Sequence, residues 1–341
     1  MLMNYCRGSL PSNMGIYPSI RKVVIISGVA VAAGAWWIGQ QRQAWRDSIA
    51  SFESTLLAMP TSLNLHPNVI QTLSDLPVPV QRFLHLVFPG ETESTEASFA
   101  IFPLIRSLHM QQTGKMFLNG KWVSFTARQV ISTENLGFVW EALSHMGPLP
   151  GVWVQVCDAW VNGRGYLRVA LFGAIPLISP PDEEALKLGE MLRWLAEIVF
   201  VPTIFLPQEC SASRPVVLWK AAKNDSDQAI LVLHDSRMPG GTDAEVTFSF
   251  DKDGWIHKME CRRPRAVDNG LVMSDWVGYF SNYTSVEGMM IPLHGEVGWI
   301  LDGKEELYFK GDNYDLQFGF FERNDAQQVE GDISECKREQ E

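Results

Sequence analysis

The segment "SLHMQQTGKMFLNGKWVSFTARQVIST" (residues 107–133) decides the fold class. Apolar and polar residues alternate on both sides of Asn119-Gly120, and Asn-Gly between two such runs is a strong signal for a two-residue hairpin turn. The segment therefore predicts two antiparallel strands joined by a tight turn.

The same pattern recurs along the chain. "VWVQVCDAWVNGRGYLRVALFGAIPLI" (152–178) repeats it, and the later turns of this kind fall at Asn162-Gly163, Asp253-Gly254, Glu287-Gly288 and Asp302-Gly303. About ten to twelve antiparallel strands are expected within residues 100–321. A sheet of that length must curl or close to protect its edges and its inner face. We therefore expect a mainly β (α+β) fold, with a large curved antiparallel sheet or half-open barrel.

One helical segment interrupts the strands. We predict an inserted helix over 182–199, and it is followed by the apolar arm "FVPTIFLP" (200–207). Glu190, Arg193 and Glu197 lie three and four residues apart, so they form one stripe on this helix. Such charges are costly at the centre of a bilayer, which excludes a membrane span here. The helix is therefore expected to cover the curved sheet.

The N-terminal region carries a different signal. Residues 23–39, "VVIISGVAVAAGAWWIG", contain no charge and form a candidate transmembrane anchor at the short end of the usual range. Basic residues precede the segment, which predicts a cytoplasmic segment over 1–22 and a main body outside the cytoplasm, on the periplasmic side in a Gram-negative cell. A cleaved signal segment ending near Ala33-Gly34-Ala35 is the alternative.

Two regions flank the β-rich part. Residues 40–99 are expected to form a helical lead-in, with helices over 44–59 and 76–90. The tail 322–341 is polar and lacks aromatic residues, which predicts a disordered acidic tail. The formal net charge of -11 argues against nucleic acid as a partner, because phosphate binding needs clustered Lys and Arg.

Motifs for cofactor or nucleophile chemistry are missing from the sequence. There is no P-loop, no Rossmann glycine pattern and no G-x-S-x-G, so no cofactor and no catalytic residue is assigned. His294 and Glu296 alternate onto one strand face, but without a third ligand at metal-site spacing no metal is expected. Cys157 and Cys261 lie in strand-like runs. Buried free thiols are favoured for them, and a disulfide stays the alternative.

Several segments carry a family resemblance. "LPVPVQRFL", "DAWVNGRGYLRVALFG", "GEMLRWLAEIVFVPTIFLP" and "YTSVEGMMIPLHGEVGW" occur in an order that resembles an uncharacterised bacterial domain family of exported or membrane-anchored proteins, over residues 76–318. No activity is implied by that resemblance. The strand-rich body is also similar, at the level of the fold, to lipoprotein carriers of the LolA/LppX type, which implies a curved sheet that holds a lipid-like group.

These observations suggest a membrane-anchored extracytoplasmic binding protein or carrier for a hydrophobic or lipid-like ligand. The candidate ligand-binding residues are the charged and aromatic side chains of the helix, two arginines of the "CRRPRAV" segment and two strand tryptophans: Glu190, Arg193, Trp194, Glu197, Arg262, Arg265, Trp140 and Trp276. Ordinary ion pairs and core packing are the competing interpretation of each. Whether the protein is an enzyme stays open. One alternative is an enzyme on a lipid-linked substrate with Glu190, Glu197 or Glu296 as acid or base. Another is an envelope assembly protein that binds through its sheet edge or through an exposed apolar arm near 200–206.

Overall fold

A computed structural model gives the architecture of the chain. It describes residues 18–58, 72–89, 103–118, 120–145, 151–178, 183–206, 217–223, 225–233, 244–267 and 270–321, with side chains from residue 31 onward. The predicted tail at 322–341 and the residue Asn119 of the first hairpin turn lie outside these ranges.

Thirteen strands form one antiparallel sheet within this part of the chain. They are β1 (Ile105–Leu118), β2 (Lys121–Ser132), β3 (Gly137–His145), β4 (Trp153–Val161), β5 (Arg164–Leu171), β6 (Ile175–Pro176), β7 (Val217–Ala221), β8 (Gln228–Leu233), β9 (Ala244–Phe250), β10 (Ile256–Val267), β11 (Gly270–Val286), β12 (Met289–Leu301) and β13 (Lys304–Phe320). Their order is β6-β5-β4-β3-β2-β1-β13-β12-β11-β10-β9-β8-β7. The first and last strands therefore pair at the centre, and β6 and β7 are the edges.

The tight turns follow from residues that tolerate a left-handed backbone. Asn162 and Gly163 have φ values of 51° and 72°, and the turns at Glu287-Gly288 and Asp302-Gly303 repeat this geometry. Two successive positive φ values define the type I′ turn, whose twist matches that of the strands it joins. Leu118 and Lys121 pair across the first predicted turn, and Gly120 has a φ value of 76°. The sequence pattern therefore located these hairpins correctly.

The sheet curves around an inserted helix. Three helices are present in the described residues: α1 (Pro18–Leu57), α2 (Val78–Val87) and α3 (Glu183–Glu197). Helix α3 contacts both β5 and β10, which lie eight positions apart in the strand order. In a flat sheet these strands would be roughly 38 Å apart, whereas a helix is about 10–12 Å wide. The sheet must therefore wrap around α3, and it stays unclosed. The predicted curved antiparallel sheet with a covering helix is confirmed, with thirteen strands rather than ten to twelve.

Helix α3 lies directly on the inner face of β5. A β-carbon at Gly165 would lie 2.8 Å from the backbone carbonyl carbon of Leu186, so only glycine lets the helix approach this closely. On the inner face Trp194 packs on Trp160 and donates to the Ser132 carbonyl oxygen at 3.1 Å. The arm after α3 forms two short 3₁₀ turns, Ile198–Phe200 and Pro202–Phe205, and 200–206 is buried throughout. The expectation of an exposed apolar arm near 200–206, one form of the assembly alternative, is therefore wrong.

The predicted lead-in helix over 44–59 belongs to one continuous helix, α1. Its second half packs on the outer face of the sheet, where Trp45, Ile49 and Leu56 form a separate buried cluster with residues of β3 to β5. The predicted span 23–39 lies in the first half of α1. Among the helices of the described residues, none is both long enough and apolar enough to cross a bilayer.

The two ends of the curved sheet differ. At one end, which we call the α2 end, α2 buries Val80, Phe83, Leu84 and Val87, and Phe83 contacts Phe205, Phe250 and Tyr283. The opposite end, which we call the mouth end, holds the β1–β2, β10–β11 and β12–β13 hairpin turns, because antiparallel neighbours alternate in direction. Cys157 and Cys261 are both free thiols.

Candidate functional site

Two arginines bring charge to the inner face of the sheet beneath α3. Arg193 of α3 donates from Nε to Oε1 of Glu197 at 2.8 Å and from a terminal nitrogen to Oδ2 of Asp158 on β4. Arg263 of β10 reaches α3 from the other wall, where its Nε donates to the Gly189 carbonyl oxygen at 2.9 Å. The two arginines thus connect α3 to both sides of the curved sheet.

Aromatic rings shield both guanidinium groups. The Arg193 guanidinium lies 4.6 Å from the ring centre of Phe138 and 5.2 Å from that of Trp140. Arg263 lies 4.7 Å from the Trp276 ring. These are cation–π distances, which are favourable where the cation has lost water. Although burial works to lower the pKa of Arg193, the carboxylates of Glu197 and Asp158 outweigh it and raise that pKa, so the arginine stays charged.

The third carboxyl of this cluster, that of Glu190, holds its proton more firmly than an ordinary glutamate does. Glu190 is almost fully buried, and burial together with the nearby charge of Asp158 raises its pKa well above the ordinary value, against the opposing effect of Arg263 and Arg193. Asp158 Oδ1 and Glu190 Oε2 receive no ordinary N–H or O–H donor from the described residues. Asp158 raises the pKa of Glu190 further through a side-chain hydrogen bond, which only the protonated form of Glu190 can donate.

Three carboxyls face two guanidiniums in this group. The nearby charge of Asp158 therefore favours the protonated form of Glu190. Gln129 completes the group by donating to Glu197 Oε2, while its own Oε1 accepts nothing from the residues described. We call Gln129, Asp158, Glu190, Arg193, Glu197 and Arg263 the inner polar cluster.

A neutral polar ladder continues from this cluster toward the seam of the sheet. Trp140 Nε1 donates to Gln112 Oε1 at 2.6 Å, and Gln112 Nε2 donates to Asn313 Oδ1 at 2.7 Å across the β1–β13 pairing. On the other wall Trp276 Nε1 donates to the Tyr308 hydroxyl at 2.9 Å. The indole N–H groups of Trp140 and Trp276 therefore each have a hydrogen-bond partner.

Toward the mouth end the inner face becomes apolar and is only partly covered. Phe125 stacks on Phe309 with ring centres 5.2 Å apart, and Met116 and Val297 lie beside the same core. We call Met116, Phe125, Val297, Trp299 and Phe309 the apolar mouth. Arg265 of β10 borders it, with its guanidinium 6.0 Å from the Trp299 ring and its Nε donating to Ser274 Oγ at 3.1 Å.

The structure places the sequence-predicted residues in four different locations. Glu190, Arg193, Glu197, Trp140 and Trp276 lie in or against the inner polar cluster, and Arg265 lies at the mouth. Trp194 faces the packed core instead. Arg262 points to the outer face, where it is exposed beside Asp275 at 3.6 Å. Whether any of these residues contacts a ligand stays a prediction.

Sequence reasoning missed several members of the cluster. Arg263, which was not among the predicted ligand-binding residues, reaches the cluster where Arg262 does not, because strand alternation places residue 263 with Cys261 and Met259 on the inner face. Asp158 pairs with Arg193 from the helix rather than with Arg164 across its own hairpin. Alternation from Trp160, a buried strand residue, could have identified Asp158. Gln112, Gln129 and Asn313 gave no signal of this kind.

His294 and Glu296 share the outer face, as their alternation suggested. His294 Nδ1 lies 2.7 Å from Asp312 Oδ1, and Lys310 donates to Glu296 at 2.8 Å. Within the described ranges no group of three His, Cys, Asp or Glu side chains has the geometry to hold a metal ion. Glu296 is therefore far from the inner polar cluster and belongs to a surface ion-pair group.

Fold and site define an α+β protein with an open antiparallel half-barrel that encloses a charged helix. The chain belongs to the family of unknown function DUF6920, whose sequence profile matches residues 74–318. The family resemblance stated for 76–318 is thereby confirmed. A search of curated protein sequences found no match.

Two solved structures are similar to this chain at low identity. One is a LolA superfamily protein from Nitrosomonas europaea, with 11% identity and a TM-score of 0.33 over 72% of this chain and 94% of that one. The other is a DUF1329 family protein from Desulfovibrio piger, with 10% identity and a TM-score of 0.32 over 65% of this chain and 90% of that one. Superpositions this loose carry no argument about function.

Proposed function

We propose that this protein binds an amphipathic molecule, made of a hydrocarbon part and an anionic group, on the inner face near the mouth end. The observation that supports this most directly is the juxtaposition of a partly exposed apolar surface and the Arg265 guanidinium. An extracytoplasmic location close to a membrane, expected from the sequence, would give such a protein access to its ligand.

The apolar part of the proposed site faces inward without being fully covered. Met116, Val297, Trp299 and Phe309 are only partly buried, and they pack against the buried core. Apolar surface left in contact with water gains roughly 25 cal/mol for each Å² that a ligand covers. A hydrocarbon chain on the apolar mouth would therefore be stabilised by this burial.

Arg265 supplies the complementary charge. Arg193 and Arg263 already have carboxyl partners, but Arg265 forms no ion pair with a carboxylate of the described residues. One of its N–H groups is used by Ser274, and the guanidinium has further donors in a planar fork that suits a carboxylate or a phosphate. An anionic group seated there would leave its hydrocarbon part free to lie on the apolar mouth.

The test is to purify the full chain from membranes of the expressing cells and to measure its mass in the native state, followed by lipid extraction. We expect a co-purifying amphipath with an anionic group, and we expect Arg265→Ala to lose it. Arg262→Ala, three residues away on the outer face, is the matched control and should retain the ligand. A ligand-free wild type that takes up no added fatty acid or phospholipid would overturn the proposal.

A second candidate function is acid–base catalysis on a lipid-linked substrate by the Glu190–Asp158 pair. The raised pKa of Glu190 favours it, since a carboxyl that keeps its proton to a higher pH than usual can act as a general acid. Burial beneath α3 weighs against it, because a substrate would have to displace the helix to reach either oxygen. Incubation with a lipid extract separates the two candidates. New products that disappear in Glu190→Gln would favour catalysis, whereas unchanged bound lipid would favour binding alone.

A further inference from the structure

The exposed apolar side chains of this protein are not evenly distributed. Of the fourteen large hydrophobic residues that are exposed in the described part of the chain, only Val78 and Tyr314 lie away from the mouth end. The other twelve are Val31, Trp36, Trp37, Phe117, Leu118, Trp122, Ile175, Leu177, Ile178, Leu271, Val272 and Met273. Single exposed apolar residues are ordinary, but a concentration on one end of a molecule marks an interaction surface.

Strand register places three of these groups together at the mouth end. Phe117 and Leu118 lie at the end of β1 opposite Trp122 and Lys121. Leu271 lies one residue from the β10–β11 turn, where Val267 pairs with Gly270. Ile175 pairs with Leu171 beyond the mouth-end turn that follows β5. These groups therefore project from separate hairpins around the apolar mouth.

Helix α1 directs its free portion toward the same side. Arg42 Nε donates to the Phe172 carbonyl oxygen at 2.9 Å at the mouth end, while Asn135 Nδ2 donates to the Leu56 carbonyl oxygen at 3.0 Å at the α2 end. Residues before Arg42 consequently extend past the mouth end. From Pro18 onward this extension has a length of roughly 36 Å at 1.5 Å per residue. It carries Trp36, which is 67% exposed.

We propose that the mouth end docks on the surface of a lipid bilayer, with the hairpin tips and Trp36 and Trp37 in the interfacial layer. A bilayer fits because the apolar groups are separate protrusions rather than one continuous face, and lipid adapts to protrusions without a matching shape. Tryptophan also prefers the membrane interface, where its ring contacts apolar chains and its N–H stays hydrated. Exposed Lys115 and Lys121 flank the first tip and would attract anionic headgroups. This docking does not require that the inner face holds a ligand.

Amide hydrogen exchange on the full chain tests the proposal. The chain is measured with and without vesicles of mixed phosphatidylcholine and phosphatidylglycerol. We expect slower exchange in 115–123 and 270–275 when vesicles are present, and unchanged exchange in the α2-end hairpins around 162–163 and 287–288. Because exchange is read segment by segment, attachment through α1 alone would leave the tips unprotected and would overturn the proposal. Protection that appears without vesicles and grows with protein concentration would assign the surface to a second copy of the chain, and would overturn it too.

Substitutions at the tips give an independent measurement. Combined Leu118→Ser and Leu271→Ser exchange one apolar residue on each of two tips, and we expect vesicle binding to weaken roughly tenfold, which corresponds to about 1.4 kcal/mol. Val78→Ser changes an even more exposed residue at the α2 end, 66% against 38% for Leu118, and should leave vesicle binding unchanged. Equal binding of all three proteins would contradict the docking surface. The ligand assay with Arg265→Ala is separate, so the two proposals can fail independently.

Discussion

Two clusters of charged residues lie on opposite faces of the same strands, and they are organised differently. On the outer face, under α1, Arg128 donates to Glu53 and to Glu141 Oε2, while Trp45 and Gln155 both donate to Glu141 Oε1. On the inner face, under α3, the inner polar cluster contains three carboxyls for two arginines. Both clusters fix a helix to the sheet through arginine.

The difference lies in how completely the acceptors are used. Both oxygens of Glu141 have donors, and the Arg128 side chain is 41% exposed, so solvent shares its charge. The inner cluster leaves oxygens of Gln129, Asp158 and Glu190 without an ordinary donor from the residues that the structure describes, and burial raises the pKa of Glu190. The outer cluster therefore fixes α1 to the sheet with both oxygens of Glu141 in use. The inner cluster has oxygens that can accept further hydrogen bonds. The comparison shows that a buried charge group is informative when its acceptors exceed its donors.

The largest expected effect comes from removing the arginine of each cluster. Arg193→Met leaves Asp158 and Glu197 buried without their partner, and we expect the free energy of unfolding to fall by about 3–5 kcal/mol. Arg128→Met removes a half-exposed partner and should cost about 1 kcal/mol. Denaturant unfolding measures both. Equal losses in the free energy of unfolding would show that the ion pairs of Arg193 contribute no more to stability than those of Arg128.

A smaller effect of opposite sign is expected for Glu190→Gln. Because the pKa of Glu190 is raised above its ordinary 4.5, the folded chain keeps a proton that the unfolded chain loses. The free energy of unfolding therefore falls as pH rises from the unfolded pKa to the folded pKa, by about 1.4 kcal/mol for each unit between them. Glutamine removes this loss and should flatten the stability profile above the ordinary pKa of 4.5.

Unfolding at several pH values checks this prediction. Glu141→Gln on the outer face is the control: it should lower stability, since it weakens the pair with Arg128. A wild-type profile that is already flat across this range, or a Glu190→Gln protein with the same slope as the wild type, would mean that Glu190 is ionised in the folded chain.

Arg265→Ala tests the functional side of the comparison. We expect the dissociation constant for a fluorescent fatty acid to rise roughly tenfold, because one charge-assisted contact is worth about 1.5–3 kcal/mol before solvent competes for it. Arg262→Ala should leave it unchanged, since that side chain lies on the outer face. The titration is read by probe fluorescence. Equal affinity of the two variants would remove Arg265 from the proposed site.

The smallest effect sets the baseline for both clusters. Arg82 and Asp227 form an ion pair at 2.8 Å in which both side chains are about half exposed. Asp227→Asn should change the free energy of unfolding by less than about 0.5 kcal/mol. The same denaturant experiment measures it, and a loss as large as that of Arg128→Met would show that exposure does not rank these pairs.

Much of the fold was predictable because its turns are local. Asn162-Gly163 and Asp302-Gly303 adopt the left-handed backbone that their residue types favour, and periodicity identified the inserted helix to within a residue or two of Glu183–Glu197. The continuity of α1 was not predictable from such signals, since nothing local distinguishes one long helix from a shorter one preceded by an apolar segment. The pairing of β1 with β13 is also non-local and left no trace in the sequence pattern.

The candidate site was predictable only on the helix. The stripe Glu190, Arg193 and Glu197 followed from helical spacing, but its partners come from distant strands. Arg263 and Asp158 lie 73 and 35 residues from the helix residues that they contact. Choosing Arg262 over Arg263 was a register error of one residue, which transfers a side chain to the other face of a strand.

The central pairing of the first and last strands has a consequence for biosynthesis. At about 5–20 residues per second, β13 (Lys304–Phe320) leaves the ribosome roughly 10–40 s after β1 (Ile105–Leu118). During that interval the edge of β1 that later pairs with β13 has no neighbouring strand. Helix α3 also lacks its contacts with β9 and β10. A nascent chain with an unsatisfied strand margin is prone to misassociation. Truncation or premature release before β13 should therefore yield insoluble chains rather than a stable partial domain, and the cell must keep that margin covered until translation ends.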